Sequence, residues 1–321
     1  MRRIHTSLGA ALALTFAMAH AMAQTGYPDK AVKIVVPYPP GGAVDQVTRR
    51  IAQKLTEQTG QSFFVENKAG GTGTIGANQV ARSPGDGYTL LANDTTYSIL
   101  PQVFKKLPWD YANDLVPVAG FNFAPTTVVV AANSPFKTLG DLVAYSQANP
   151  GKLNFAVGSI GSAGHLCTVK LEQAAGSTIA IVPYKGTGPA MTDLVGGQIE
   201  GFIDPVLGSV QFHRNGQLKI VGVTSSKRLP NLPDVPTVAE TLPGFECASW
   251  YGLWAPAKTP ADIVQKLNAA VNKALAGEMR DRLIADGIVP GGGSVAEFTK
   301  FQADDIAASG KIIADKKITL E

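Results

Sequence analysis

Four glycine-bearing turns hold the residues best suited to chemistry: Tyr38-Pro39-Pro40-Gly41-Gly42, Gly71-Thr72-Gly73-Thr74-Ile75-Gly76, Gly158-Ser159-Ile160-Gly161-Ser162 and Lys185-Gly186-Thr187-Gly188. Each follows a strand-like run and precedes a helix-like one. Glycine lets a ligand approach the backbone closely. A helix start offers unpaired N–H groups and the positive end of a dipole, which together bind anions. In a doubly wound sheet such turns line the crevice at the carboxyl ends of the strands. Lys185 is the only strong cation inside the four turns, so backbone dipoles rather than arginine would hold the anion. Any one turn is better explained as a tight bend. Four together, two from each half of the chain, point to a binding site.

Other chemistries are poorly supplied. Gly71-x-Gly73-x-x-Gly76 matches a dinucleotide fingerprint, with Asp94 near the distance of a ribose-binding acid. The pattern follows the second strand rather than the first, which argues against a nicotinamide site. No GxSxG nucleophile elbow occurs. Beyond the first 23 residues only His165 and His213 remain as histidines, without HExxH or CxxC spacing, so no metal or cofactor is expected. His165 either serves its own helix or meets a ligand. Asp204, after an apolar strand and before Pro205, either orients a ligand donor or caps a turn. Tyr38, Tyr97, Phe123, Trp250 and Tyr251 either wall a flat apolar ligand or pack in the core.

The elements that position these residues alternate as strand and helix, which predicts an α/β architecture. Val32–Val36 reads as a buried strand, and Gly41-Gly42 opens a helix whose stripe is Val44, Val47, Ile51 and Leu55. Strands at 62–65 and 88–91 follow. Five more are predicted at 126–130, 154–157, 179–182, 201–204 and 219–223, then a strand-like stretch at 248–253. Thr138 and Ser294 open capping boxes, and Thr259-Pro260 starts a helix as cap and first helical residue. Three early strands are thin for a sheet of their own, and the last section has helices without a sheet. The economical solution returns the chain: 24–125 plus 246–321 form one lobe and 126–245 the other. Two crossings, near Phe123–Thr126 and Glu246–Trp250, then make a hinge with a cleft between the lobes.

The first 23 residues read as a secretory signal peptide: Arg2 and Arg3, an apolar run from Leu8 to Met18, and a small-x-small site at Ala21-Met22-Ala23. The run is shorter than the roughly 20 residues of a membrane span. The mature chain is expected to start at Gln24 and to work in the periplasm. Of 321 residues, 298 then remain, enough for two lobes. The 28 Lys+Arg and 25 Asp+Glu become 26 against 25 once Arg2 and Arg3 leave. A balance so close to neutral carries no footprint for nucleic acid or an anionic membrane. Cys167 and Cys247 are read as two buried thiols in preference to a disulfide, because a chain this long needs no staple.

The succession VPYPPGGAVD, ENKAGGTGTIGAN, GDGYTLL, NFAVGSIGSAGH, VPYKGTGPAMTDLVGGQIE, WYGLWAPAKTP and GGGSVAEF resembles the Bug family across the whole mature chain. These are the extracytoplasmic receptors of tripartite tricarboxylate transporters. The resemblance implies a two-lobed periplasmic-binding-protein fold, type II-like, with two crossover strands. It implies a monomer that hands a small organic carboxylate to membrane permease subunits and does no catalysis. It also implies that one carboxylate sits between the loops Tyr38–Gly42 and Gly158–Ser162. On this basis Tyr38, Gly41, Gly42, Ser159, Gly161 and Ser162 are ligand-binding candidates, with Gly41, Gly42 and Gly161 turning their N–H groups to the ligand. Thr74, Thr95, His165 and Asp204 are pocket neighbours. The stretches Asn93–Tyr97 and Phe121–Phe123 offer no arginine for a second carboxylate but do offer aromatic and hydroxyl surface, which tilts the ligand toward an aromatic or planar acid. The competing readings are an exported enzyme, such as a hydrolase acting on a small acid, and a receptor that presents its ligand to a membrane sensor.

Overall fold

The computed structural model describes residues 26–320, so the signal peptide expected at 1–23 lies outside the described residues. In chain order β1 (Val32–Val36), α1 (Ala43–Thr59), β2 (Phe63–Asn67), α2 (Thr74–Ala81), β3 (Thr89–Asp94) and α3 (Thr95–Val103) alternate. Then come β4 (Leu115–Ala131), α4 (Leu139–Ala148), β5 (Asn154–Val157), α5 (Ala163–Ala175), β6 (Ala180–Pro183), α6 (Thr187–Val195), β7 (Gly201–Pro205), α7 (Val206–Arg214) and β8 (Leu218–Val223). The chain ends with β9 (Ala248–Pro256), α8 (Ala261–Ala274), α9 (Glu278–Ala285), β10 (Val289–Pro290) and α10 (Val295–Asp315).

The stripe Val44, Val47, Ile51 and Leu55 buries α1 against the sheet, and Gly60 ends it in the left-handed region at φ 71°. Both expected capping boxes form, Thr138 with Asp141 on α4 and Ser294 with Glu297 on α10. At α8 the N-cap is Pro260 itself, one residue later than expected, and Thr259 Oγ1 is left buried without a partner.

The strands run β2-β1-β3-β9-β4-β7-β5-β6, with β8 and β10 also on β4. β1, β2 and β3 pair in parallel, as do β5, β6 and β7. β4 is the shared element. Its Leu115–Pro125 segment pairs antiparallel with β9, and Thr126–Ala131 pairs antiparallel with β7 and β8. The sequence reading began this strand only at Thr126. β4 starts eleven residues earlier and, with β9, completes the first sheet. Pro117 lies at a register shift and Pro125 where the strand changes sheets, places where a missing N–H is tolerated.

A further difference lies where the chain crosses between the two sheets. Cys167 on α5 and Cys247 before β9 form a disulfide, with Cα atoms 5.9 Å apart, so the free-thiol expectation is corrected. Beside it, Thr126 N–H donates to Thr224 Oγ1 at 2.8 Å, and Cys247 N–H donates to the Thr224 carbonyl at 3.1 Å. Both crossings, at Thr126 and Cys247, therefore meet Thr224, just past β8, in one buried knot. No described helix is long and apolar enough to cross a membrane.

Candidate functional site

A cavity of about 40 Å³ lies where the carboxyl ends of strands from both sheets converge. Tyr38, Pro39 and Gly42 reach it from the turn after β1, Asp94 from the end of β3, and Tyr251 from β9. The other half supplies Gly158, Ser159 and Ser162 after β5, Gly186 and Thr187 after β6, and Pro205 at the end of β7. Ala43, Val44 and Asp45 in the first turn of α1 complete the lining. An adjoining space of about 220 Å³ shares Tyr38, Ser159 and Gly186 and extends to Gly70–Gly73, Tyr184 and Lys185. The two halves touch across the cleft. A Cβ placed on Gly42 would stand 3.0 Å from Thr187 Oγ1, and one on Gly186 would stand 2.9 Å from Pro39 Cδ.

The amides sort the glycines. Gly41 N–H donates to Asp45 Oδ2 at 3.0 Å, and Gly161 N–H donates to His165 Nδ1 at 2.9 Å. Both are spent inside their own turns, which corrects the expectation that they face a carboxylate. Among lining residues, Gly42, Ala43, Val44, Ser159 and Thr187 keep amides without a hydrogen-bond partner among the described residues. They belong to or precede the starts of α1, α5 and α6, where helix geometry leaves donors open. Ser162 is the N-cap of α5, its hydroxyl accepting from His165 N–H at 3.2 Å.

The remaining predicted residues are placed elsewhere. Thr74 donates its hydroxyl to the Gly71 carbonyl at 2.7 Å and does not line either space. Thr95 accepts from Trp250 N–H at 3.1 Å and lines a separate hollow behind the hinge. His165 is buried behind its turn as the acceptor for Gly161, and burial pushes its imidazole down to about 4, so it is neutral at physiological pH. Asp204 lies fully buried at the end of β7, and neither carboxyl oxygen has a partner. Of the five aromatics weighed as walls or core, only Tyr38 and Tyr251 line the cavity. Tyr97 and Trp250 pack with Trp254, and Phe123 meets Phe301 edge-on.

Electrostatics single out three acids, of which the sequence places only Asp204 near the site. Burial pushes the Asp45 carboxyl up, but hydrogen bonds from Arg49, the Gly41 N–H and Asn67 outweigh it and hold it below its ordinary value. Asp94 is raised by burial, partly offset by Thr96 and Tyr38; Tyr38 OH donates to Asp94 Oδ1 at 2.9 Å. Burial also raises Asp204 well above the carboxylate range. Tyr251 is raised by burial and by the nearby charges of Asp94 and Asp204, and its hydroxyl has no partner. The signal for Asp94 was present in the sequence: an Asp at a strand end, opening a helix as N-cap with Thr96 N–H.

Residues 47–318 match the family model described as "Tripartite tricarboxylate transporter family receptor". A protein from the tcbD-tcbE intergenic region of Pseudomonas sp. (strain P51) is 40% identical over 270 residues, 84% of this chain and 80% of that one. The solved structure of Rpa4515 from R. palustris with adipate superposes with a TM-score of 0.86 at 34% identity, covering 90% of this chain and 97% of the other. The periplasmic binding protein BugD superposes with a TM-score of 0.85 at 32% identity, covering 91% and 99%. Matched along nearly all its described length, with the two-lobed fold and the open amides at its cleft, the chain belongs to the Bug family of tripartite tricarboxylate transporter receptors.

Proposed function

We propose that this protein captures a small organic carboxylate between its lobes in the periplasm and delivers it to the permease subunits of a tripartite transporter. The observation that carries the reading is the set of free amides. Gly42, Ala43 and Val44 from one sheet, and Ser159 and Thr187 from the other, surround one cavity without a lysine or arginine among its lining residues. Several helix starts aimed at one space stabilise a carboxylate through partial charges and N–H donors. The relative solved with adipate supports a carboxylate of this size. Residues 24–125 with 246–321 act as one lobe and 126–245 as the other, and the partner change of β4 after Pro125 supports that division. An aromatic or planar acid would draw its stacking from Tyr38 and Tyr251 alone.

The lobes are expected to open without ligand and close on it, turning at the Thr126–Thr224–Cys247 knot. Small-angle scattering with a carboxylate that calorimetry shows to be saturating should give a smaller radius of gyration than the ligand-free protein. Superimposable curves would count against capture by closure.

A further inference from the structure

A carboxylate lines the very cavity whose open amides suit a carboxylate ligand. Asp45 stands in the first turn of α1, directly after Gly42, Ala43 and Val44, and is only 4% exposed. An acid at this place ordinarily turns back onto the first amides of its own helix. Asp45 does not: its Oδ2 accepts from Gly41 N–H at 3.0 Å, ahead of the helix. Arg49, one turn further along α1, places Nε 3.0 Å from Oδ2 and Nη2 3.0 Å from Oδ1, the two-pronged grip of a guanidinium on a carboxylate. Asn67, at the end of β2, donates Nδ2 to Asp45 Oδ1 at 2.9 Å and to the Tyr38 carbonyl at 3.0 Å. Its Oδ1 accepts from Arg49 Nη2 at 2.9 Å, so the three side chains form one closed network. Burial alone would raise the Asp45 carboxyl, but these donors outweigh it and keep the group charged at neutral pH. Asp94, the other acid lining the cavity, takes Tyr38 OH and Thr96 N–H on its Oδ1.

We infer that Arg49, which does not line the cavity, is a positioning residue that sets the affinity of the cleft for anions: with Asn67 it neutralises Asp45 and holds it on Gly41, off the amides a ligand carboxylate needs. This rests on the carboxylate-receptor reading and deepens it. Without Arg49, Asp45 becomes a rival to the ligand in two ways. Its uncompensated charge repels an incoming carboxylate. At an effective dielectric of about 20, like charges roughly 10 Å apart already shift an affinity about 10-fold. Its oxygens are also freed to fold back onto the Gly42–Val44 amides as an N-terminal cap, which the ligand would have to displace. The Arg49 side chain is 50% exposed and that of Asp45 only 5%. The cation thus stays largely hydrated while its charge cancels that of the buried acid, and the cavity wall itself carries no Lys, Arg or His.

Calorimetry on the intact protein tests this at about pH 8, where an unpaired carboxyl stays ionised. The probe is whichever of adipate, malate, glutamate and benzoate binds the wild type most tightly. Arg49→Gln offers Asp45 a neutral N–H donor and removes the charge. It should weaken binding at least about 10-fold. Adding Asp45→Asn to the same protein removes the rival carboxylate and should bring affinity back to within about 3-fold of the wild type. A merely structural role predicts the reverse order, because the double variant has lost more of the network. Arg49→Met keeps the aliphatic stem and a strong helix former, and it repeats the comparison if Arg49→Gln is unstable in thermal melting. Wild-type affinity in the Arg49 variants would overturn the inference and leave the receptor reading standing. A double variant as weak as the single one would do the same. If none of these acids binds the wild type, the receptor reading itself fails and this inference with it.

Discussion

Gly42→Val should lower ligand affinity by about 100-fold, equivalent to about 2.7 kcal/mol, without unfolding the protein. Gly42 has φ −72° and ψ 167°, extended backbone that any residue adopts, so valine brings no conformational strain there. Its side chain would instead point across the cleft. The Cβ alone would stand 3.0 Å from Thr187 Oγ1, and the methyl groups would press further into the opposite lobe. The lobes would be held apart, and the Gly42 and Thr187 amides could no longer reach one carboxylate together. Titration calorimetry and thermal melting on the same samples check the two halves of the expectation. Wild-type affinity in the variant would contradict the closed geometry. Gly161→Val makes a poorer test. That glycine has φ 81°, and a Cβ there would overlap Ile99 Cδ1, so lost binding would be confounded with lost stability.

The second large effect concerns the Cys167–Cys247 bridge. It closes a loop with a sequence separation of 80 and ties α5, whose N-terminus builds the cleft, to the segment entering β9. Chain-entropy reasoning for a loop of this size gives about 4.5 kcal/mol, with native disulfides commonly worth roughly 2–5 kcal/mol. Replacing both cysteines by alanine should therefore shift the denaturant midpoint clearly downward, with an equal or larger m-value because the unfolded chain loses its cross-link. The cost should exceed that of an ordinary buried substitution, because the Thr126–Thr224–Cys247 hydrogen bonds lose their anchor. A midpoint within error of the wild type would show that folding at the hinge does not depend on the bridge.

Periodicity made much of the scaffold legible. Val44, Val47, Ile51 and Leu55 announced α1, and the polar pairs Thr138/Asp141 and Ser294/Glu297 announced the starts of α4 and α10. α3 was not foreseen. Thr95 to Leu100 are all buried and mix hydroxyl, aromatic and aliphatic side chains, and Pro101 sits inside the helix, so no polar face marks a period. The same residues looked like cleft surface for that reason. The turns of the site were visible as glycine patterns, but the fate of each amide was not. A His four residues after Gly161 and an Asp four residues after Gly41 can each accept that glycine's N–H, and which atom does so is decided by three-dimensional closure. The disulfide was hidden by the same kind of distance, since cysteines 80 positions apart come together only when α5 packs near the hinge. Aromatic residues misled in the other direction. Tyr97 and Trp250 lie next to cleft segments in sequence but turn into the cluster around Trp254.

The central claim is that backbone amides, not a side-chain cation, hold one carboxylate in the cleft. Calorimetric titration of a set of small acids, adipate and short amino acids among them, each paired with its carboxamide, tests it most directly. The amide is nearly the same shape but lacks the charge and presents donors where the open N–H groups need acceptors. The account predicts that at least one acid binds, that its carboxamide does not bind measurably, and that the difference persists at high salt because a buried charge is screened much less than an exposed one. Equal binding of an acid and its carboxamide would contradict it.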